Sequence, residues 1–336
     1  MIRTLPQPHR PAQRLRRRQR QALAPPWVKL RWQTEALAVH LLLTLLRGRR
    51  HGRVQRAIQG AVGLAGPLLA SRLETASANL ERVYGSALSP ERRRQLARRS
   101  LEQFFLSCLE SIIAPVDPAR IHAEGEGLEA LLQRPAGQGV IVGSLHLGCW
   151  DLGLRWLSER LDDLAVIYRP AHNPEADRLL NAARSANSRC HWISQFDHRG
   201  ILRWLQQGGT LVVMTDLRGG LRDDRRALHL DWLGLETGFN PGPVSLSQRT
   251  GAPLFPVAHV REGDGRFRLI CGSPLRPEPG EQGLRRQAQA LCRWQEPWIQ
   301  AYPEQYYWIN RRWRDGDGSG QRLRQLSAPG RAEGGS

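Results

Sequence analysis

Val140-Ile-Val-Gly-Ser-Leu-His146-Leu-Gly-Cys-Trp-Asp151 is the stretch whose reading decides the fold. Its first six residues are apolar or small without alternation, as expected of a short strand buried on both faces. A helical pattern begins at Asp151 and runs to about 161. Further strands are expected over 164–168, 210–214 and 254–258, with a helix over 175–187 between them. Short buried strands alternating with helices predict an α/β fold with a mostly parallel central sheet flanked by helices. Sites in such sheets form beyond the carboxyl ends of the strands, which is where His146 falls.

His146 and Asp151 are five positions apart across this strand-to-helix junction. Gly148 between them allows the backbone to fold so that the carboxylate meets one imidazole nitrogen. The other nitrogen is then free to take a proton from a hydroxyl, which is general-base catalysis with an orienting carboxylate and needs no covalent intermediate. An ordinary imidazole, titrating at about pH 6.5, suits that work. On spacing alone the pattern is equally a buried histidine satisfied by the fold.

Upstream, residues 71–113 read as helical. Ser89-Pro90 gives a cap followed by proline at the first helical position, and Leu96, Leu101, Phe104, Phe105, Cys108, Leu109 and Ile112 recur at helical spacing. The segment 27–46 ends in a dozen almost wholly apolar residues, but Lys29, Arg31 and Glu35 interrupt its first half. A bilayer crossing wants about 20 apolar residues. An interfacial or shallowly inserted helix is therefore expected here, with a buried core helix as the plain alternative. A second apolar stretch, 57–70, is also too short to span. Residues 1–26, rich in proline and arginine, are expected to be unstructured, and so is the Gly/Ser/charged tail from 315. The partition that follows is a basic, membrane-associating arm over 1–56, a catalytic domain over 57–314 and a tail over 315–336.

Composition narrows the partners. Lys and Arg number 49 against 31 acids, a formal net charge of +18. Lys29 is the one lysine, so the positive charge is almost all guanidinium, which forks onto phosphate or carboxylate. An anionic lipid surface and a nucleic acid both satisfy this number, as does a codon bias toward arginine. Residues 1–56 hold fourteen of these cations and a single acid, Glu35. The five cysteines are scattered and have no Cys-x-x-Cys or Cys/His spacing, so no metal site is expected and a reducing compartment fits. No glycine-rich nucleotide loop is present.

Several motifs occur in a fixed order: Ala78-Asn-Leu-Glu-Arg82, Glu124-Gly-Glu126-Gly-Leu128, His146 to Asp151, and Tyr168-Arg169-Pro170 with Asn173-Pro174. Thr215-Asp216, Trp232-Leu-Gly234 with Thr237 and Gly242-Pro243, and Tyr302 to Trp308 running into Arg311-Arg312-Trp313 complete the set. In order and spacing the chain resembles the bacterial lipid A late acyltransferases, the lauroyl and myristoyl transferases, and their relatives that acylate phosphatidylinositol mannosides. The resemblance covers roughly residues 70–314. It implies a glycerolipid acyltransferase-like fold and transfer of a fatty acyl group from an acyl carrier protein or coenzyme A thioester to a hydroxyl of a membrane glycolipid. No cofactor beyond that donor is implied. It gives His146 the role of base and Asp151 that of its support, at a position where the family more often has Glu. Arg169, Asn173, Asp216 and Arg311 would bind substrate, although Leu217-Arg218 departs from what usually follows the acid. The basic arm would hold the protein against the anionic cytoplasmic face of the bacterial inner membrane, as a peripheral or monotopic protein. A lysophospholipid or glycosyl-phospholipid acceptor fits the same chemistry. An inactive scaffold and a nucleic-acid-binding protein are the readings of another class, and no nucleic-acid-recognition motif supports the latter.

Overall fold

The computed structural model describes residues 24–46, 49, 51–113, 118–171, 173–185, 188–218, 227–262 and 265–313. The expectations for residues 1–23 and for the tail from 315 lie outside the described residues.

Seven strands make the central sheet, in the order β1 (Ile121–Glu124), β9 (Phe267–Cys271), β8 (Leu254–Arg261), β2 (Val140–Ser144), β5 (Thr210–Met214), β3 (Leu164–Tyr168) and β4 (His191–Ser194). The pairs β8–β2, β2–β5, β5–β3 and β3–β4 are parallel. β8 and β9 run antiparallel, and β1 is parallel to β9. The expected mostly parallel α/β sheet is what forms, with one reversed edge. A separate hairpin joins β6 (Leu228–Trp232) to β7 (Leu235–Phe239). Its two-residue turn is Leu233-Gly234, both at positive φ, as a hairpin whose twist must match its strands demands.

Helices cover both faces, in line with the continuous burial of β2. In chain order they are α1 (Pro26–Leu46), α2 (His51–Leu64), α3 (Gly66–Tyr84), α4 (Pro90–Ile113), α5 (Leu128–Leu132), α6 (Trp150–Ser158), α7 (Pro174–Ser185), α8 (His198–Gln206), α9 (Gly242–Thr250) and α10 (Gly280–Ala301). One apolar core joins Leu80 of α3, Leu96 and Leu101 of α4, and Leu291 and Ile299 of α10 to Ile141 and Leu254 on one sheet face. The other joins Leu154 and Leu157 of α6 to Val140, Val142 and Val257 on the opposite face.

The boundary expected at 56/57 falls inside α2, which runs from His51 to Leu64. α1 packs on α7 and α4. Its Trp32 and Ala36 are buried there, and the Trp32 carbonyl and Glu35 carboxylate both accept from the Asn173 amide, each at 2.9 Å. The rest of α1 leaves Trp27, Leu30, Leu37, Leu41, Leu42 and Leu45 in the open. Leu64 and Leu68, at the junction of α2 and α3, are 89% and 90% exposed. Among the described residues, no helix is long and apolar enough to cross a membrane.

His259 on β8 is buried, and neither ring nitrogen has a hydrogen-bond partner among the described residues. The ring lies so close to α6 that a Cβ on Gly153 would stand 1.9 Å from its Nδ1, so glycine is required for the helix to close on the sheet. Burial holds the pKa of His259 down to about 3, and the folded protein keeps this imidazole neutral. Between about pH 6.5 and pH 3 the unfolded chain binds a proton that the folded chain does not, so this contribution to stability falls as pH falls. The slope is about 1.4 kcal/mol per pH unit. Urea unfolding at pH 6.5 and pH 5 should show wild type losing about 2 kcal/mol more than His259→Leu. Equal losses would place the proton elsewhere.

Candidate active site

β2 and β5 are parallel neighbours whose last paired residues are Ser144 and Met214. Each strand leaves the sheet at the same level, so the residues two positions further on, His146 and Asp216, come face to face. Thr215 fixes this exit: its amide and its hydroxyl both donate to the Ser144 carbonyl, at 2.8 and 3.0 Å. Gln295 of α10 donates to the Thr215 hydroxyl at 2.8 Å. The Asp216 carboxylate then accepts from the His146 ring at Nδ1, 2.9 Å away, and from the His146 backbone amide at 3.1 Å. Holding both the ring and its backbone fixes the orientation of the imidazole. A carboxylate at Nδ1 places the ring hydrogen there and leaves a lone pair on Nε2. The Asp216 side chain is 1% exposed and that of His146 18%, so the acid is sealed behind the ring while the ring keeps contact with solvent.

This pairing corrects two expectations. The carboxylate on Nδ1 is Asp216, seventy residues away in sequence, rather than Asp151. Asp216 is in turn a partner of His146 rather than an open substrate ligand. Asp151 is buried in the first turn of α6, next to Trp150, whose ring meets that of His146 edge-on at 5.3 Å. Its charge also reaches Cys190, a thiol whose pKa is raised first by burial.

The loop carrying His146 is clamped from three sides. Gly148 sits at φ +59°, and a Cβ there would come within 2.1 Å of the His259 carbonyl oxygen, so no other residue fits. The Gly148 carbonyl accepts from Arg261 at 3.0 Å and from the Ser107 hydroxyl of α4, while its amide donates to the Gln305 carbonyl at 3.1 Å. Arg261 also donates to Gln103 of α4 at 2.7 Å. The glycine expected to turn the loop therefore does so, and the turn delivers His146 to a neighbouring strand.

The C-terminal segment forms the third wall. Leu147 bridges to Tyr306, and the Tyr307 amide donates to the His146 carbonyl at 3.1 Å. The Tyr307 ring tilts over His146 at 5.3 Å and stacks on Phe104 at 4.5 Å. Tyr306 is buried, and burial first, with the charge of Asp216 second, pushes the pKa of its phenol well above the ordinary value. Six residues on, Arg312 is wholly buried, with its guanidinium 4.7 Å from the Trp232 ring.

The remaining residues expected to bind substrate are spread over the same end of the fold. Arg169 follows β3 and is exposed, as is Arg311 in the C-terminal segment. Asn173 has a structural task that the sequence did not show. Its oxygen caps α7 by accepting from the Glu175 and Ala176 amides, and its nitrogen ties down α1. Tyr306, Tyr307, Trp150 and Phe104 had no local signal for a site. Only the order of the C-terminal motif marked the first two. Among the described residues, no cluster of His, Cys, Asp and Glu could hold a metal ion.

Comparisons with known proteins show the family. A family model described as bacterial lipid A biosynthesis acyltransferase matches residues 30–315, taking in most of α1 as well as the sheet. The lipid A biosynthesis palmitoleoyltransferase of Escherichia coli (strain K12) is 26% identical over 255 residues, 75% of this chain and 81% of that protein. A lipid A biosynthesis acyltransferase of Shigella flexneri matches to the same extent. The lipid A biosynthesis lauroyltransferase of Escherichia coli (strain K12) is 25% identical over 246 residues, 70% of this chain and 77% of its own length.

Replacing Gly148 with alanine would force a left-handed φ on an L side chain and drive its Cβ into backbone. A loss of 2 kcal/mol or more is expected in urea unfolding, at the upper end of overpacking and strain costs of about 1–3 kcal/mol. A Gly148→Ala protein as stable as wild type would mean that the loop has another conformation.

Proposed function

Since the chain belongs to the bacterial lipid A biosynthesis acyltransferase family, and is therefore an acyltransferase, we propose that it moves a fatty acyl group from a thioester donor to a hydroxyl of a lipid A precursor. His146 is the general base in this reading and Asp216 its orienting carboxylate. The observation that carries it is the two-point hold of Asp216 on His146 at the carboxyl end of adjacent parallel strands.

The step follows from that geometry. Nε2 of His146 takes the proton of the acceptor hydroxyl as its oxygen attacks the thioester carbonyl. The tetrahedral intermediate collapses to the ester and expels the thiolate, which recovers the proton from the imidazolium. Asp216 compensates the transient positive charge at Nδ1. Atoms balance as one ester and one free thiol. The donor is an acyl carrier protein or coenzyme A thioester, both anionic and suited to an arginine-rich surface. Arg169, exposed beyond the end of β3, is suited to a phosphate of the acceptor.

The protein works at the cytoplasmic face of the inner membrane in this account. The open face of α1 and the exposed Leu64 and Leu68 supply an apolar surface among the cations of residues 24–56. Such a helix lies in the interface plane, and each fully buried leucine contributes about 1.5–3 kcal/mol. Replacing Leu64 and Leu68 together with aspartate should move the protein from the floating to the soluble fraction on anionic vesicles. Unchanged flotation would mean that this corner does not touch lipid.

The reaction is tested by transfer of a labelled acyl group in mixed micelles. Both donors would be offered against lipid A precursors, lysophospholipids and phosphate-bearing glycolipids. Wild type should acylate a lipid A precursor, and His146→Ala should lose at least about a thousandfold in rate. Asp216→Asn, which removes the charge opposite Nδ1, should fall by a similar order. Full activity in His146→Ala would overturn the mechanism, and exclusive use of a lysophospholipid would change the acceptor.

A further inference from the structure

A groove of about 560 Å³ runs between α1 and α7, and none of the residues described around His146 lines it. Its volume falls within the range of about 300–1,000 Å³ that small-ligand sites occupy. The apolar part of the lining is Trp32, Ala36 and Leu37 of α1 with Leu179 of α7, and the cations are Lys29 and Arg178. The two helices are fixed to each other beside it by the Asn173 amide, which donates to the Trp32 carbonyl and the Glu35 carboxylate.

The acids near these cations are already engaged. Glu35 accepts from Asn173 and pairs with Arg31 at 3.2 Å. Glu175, the acid in the groove lining, pairs with one terminal nitrogen of Arg178 at 3.0 Å. That ion pair is exposed and therefore weak, and the rest of the guanidinium fork stays open to a second acceptor. Lys29, the one lysine of the chain, is exposed and has no ion-pair partner among the described residues. The lining thus carries a net positive charge of one, with His40 neutral.

Leu37 belongs to two surfaces. It lines the groove, and it is part of the open apolar face that α1 forms with Leu30, Leu41 and Leu45. At 3.6 residues per turn it stands about 80° round the helix from Lys29 and about 40° from Leu41. The groove therefore opens beside the leucine face, with its free ammonium on the far edge.

We propose that this groove is a binding site for one anionic phospholipid of the bilayer, its phosphate held between Lys29 and Arg178 and an acyl chain lying over Trp32, Leu37 and Leu179. A phosphate alone would leave the apolar lining uncovered, and an alkyl chain alone would leave Lys29 without a counter-charge. A lipid phosphodiester meets both needs: Lys29 acts on it as a point charge, and the open part of the Arg178 fork donates to its oxygens. Trp32 suits the junction between headgroup and chain, where indole rings are favoured. A lipid seated there fixes the rotation of α1 in the interface plane, which diffuse attraction between cations and a charged surface does not.

The proposal takes from the membrane account above only that α1 meets lipid, and short-chain lipids in solution test it without a bilayer. The full chain in neutral maltoside micelles would be titrated separately with dihexanoyl phosphatidylglycerol, dihexanoyl phosphatidylcholine and inorganic phosphate. Phosphatidylglycerol should saturate at one per chain and bind at least about tenfold more tightly than either of the others. Lys29→Gln and Arg178→Gln should each weaken it by about tenfold, the effect of losing a charge-assisted bond. Leu179→Asp should weaken it as well, through the chain. Arg53→Gln on α2, which removes the same charge outside the groove, should leave it within about twofold.

Equal affinity for the two lipids, or a loss in Arg53→Gln as large as in Lys29→Gln, would overturn the site in favour of unspecific attraction. Inorganic phosphate binding as tightly as phosphatidylglycerol would also overturn it, since the groove would then hold the ion without the lipid. Wild type that floats on anionic vesicles yet shows no saturable lipid binding would keep the interfacial helix and remove the groove.

Discussion

The return of the C-terminal segment across the loop after β2 is the constraint on which the rest of this structure depends. Between Tyr306 and Trp313 the chain touches nearly every element that shapes the site. The Asn79 amide of α3 donates to the Trp308 and Asn310 carbonyls, and Arg82 to that of Trp313. Ser100 of α4 donates to the Tyr306 carbonyl and accepts from the Trp308 amide. The β6–β7 hairpin is tied in through Thr237 and Gly238. These are mostly bonds from buried side chains to backbone, so each satisfies groups that would otherwise be buried unpaired. The segment has little regular structure of its own and takes its shape from what it joins.

This explains why α3 and α4, which lie outside the sheet, bear on the chemistry. Phe104 and Ser107 of α4 reach the His146 loop directly, one through Tyr307 and the other through the Gly148 carbonyl. Arg261 links the end of β8 to the same helix and the same carbonyl. The imidazole is thus held by a sheet on one side and by a helical layer on the other. That degree of fixation suits the proposed role of His146, which asks it to present one nitrogen without reorganisation.

The fold was legible in the sequence because its signals are local. Unbroken apolar runs such as 140–145 have one good explanation, a strand covered on both faces, and the proline after Ser89 starts α4 where the spacing predicts. The place of His146 beyond a strand end was legible for the same reason. Its partner was not. Which strand lies beside β2 depends on how crossovers arrange the sheet order, and nothing near residue 146 records that β5 is the neighbour. A carboxylate five residues away therefore looked nearer than one seventy away. Asn173 misled for a different reason. A polar residue after a strand end is the same letter whether it meets a substrate or caps a helix, and only the placement of α1 distinguishes them. Motif order carried the C-terminal aromatics, but the burial of Arg312 beside an exposed Arg311 depends on the hairpin that covers it.

The order of synthesis gives the C-terminal segment a further consequence. Residues 303–313 leave the ribosome last among those that build the site, long after the apolar helix at 26–46. A growing chain therefore carries its imidazole without the wall that Tyr306 and Tyr307 supply until this segment has been made. The site is thus completed only when the last of its walls has been made, and every earlier length of chain carries its histidine without them.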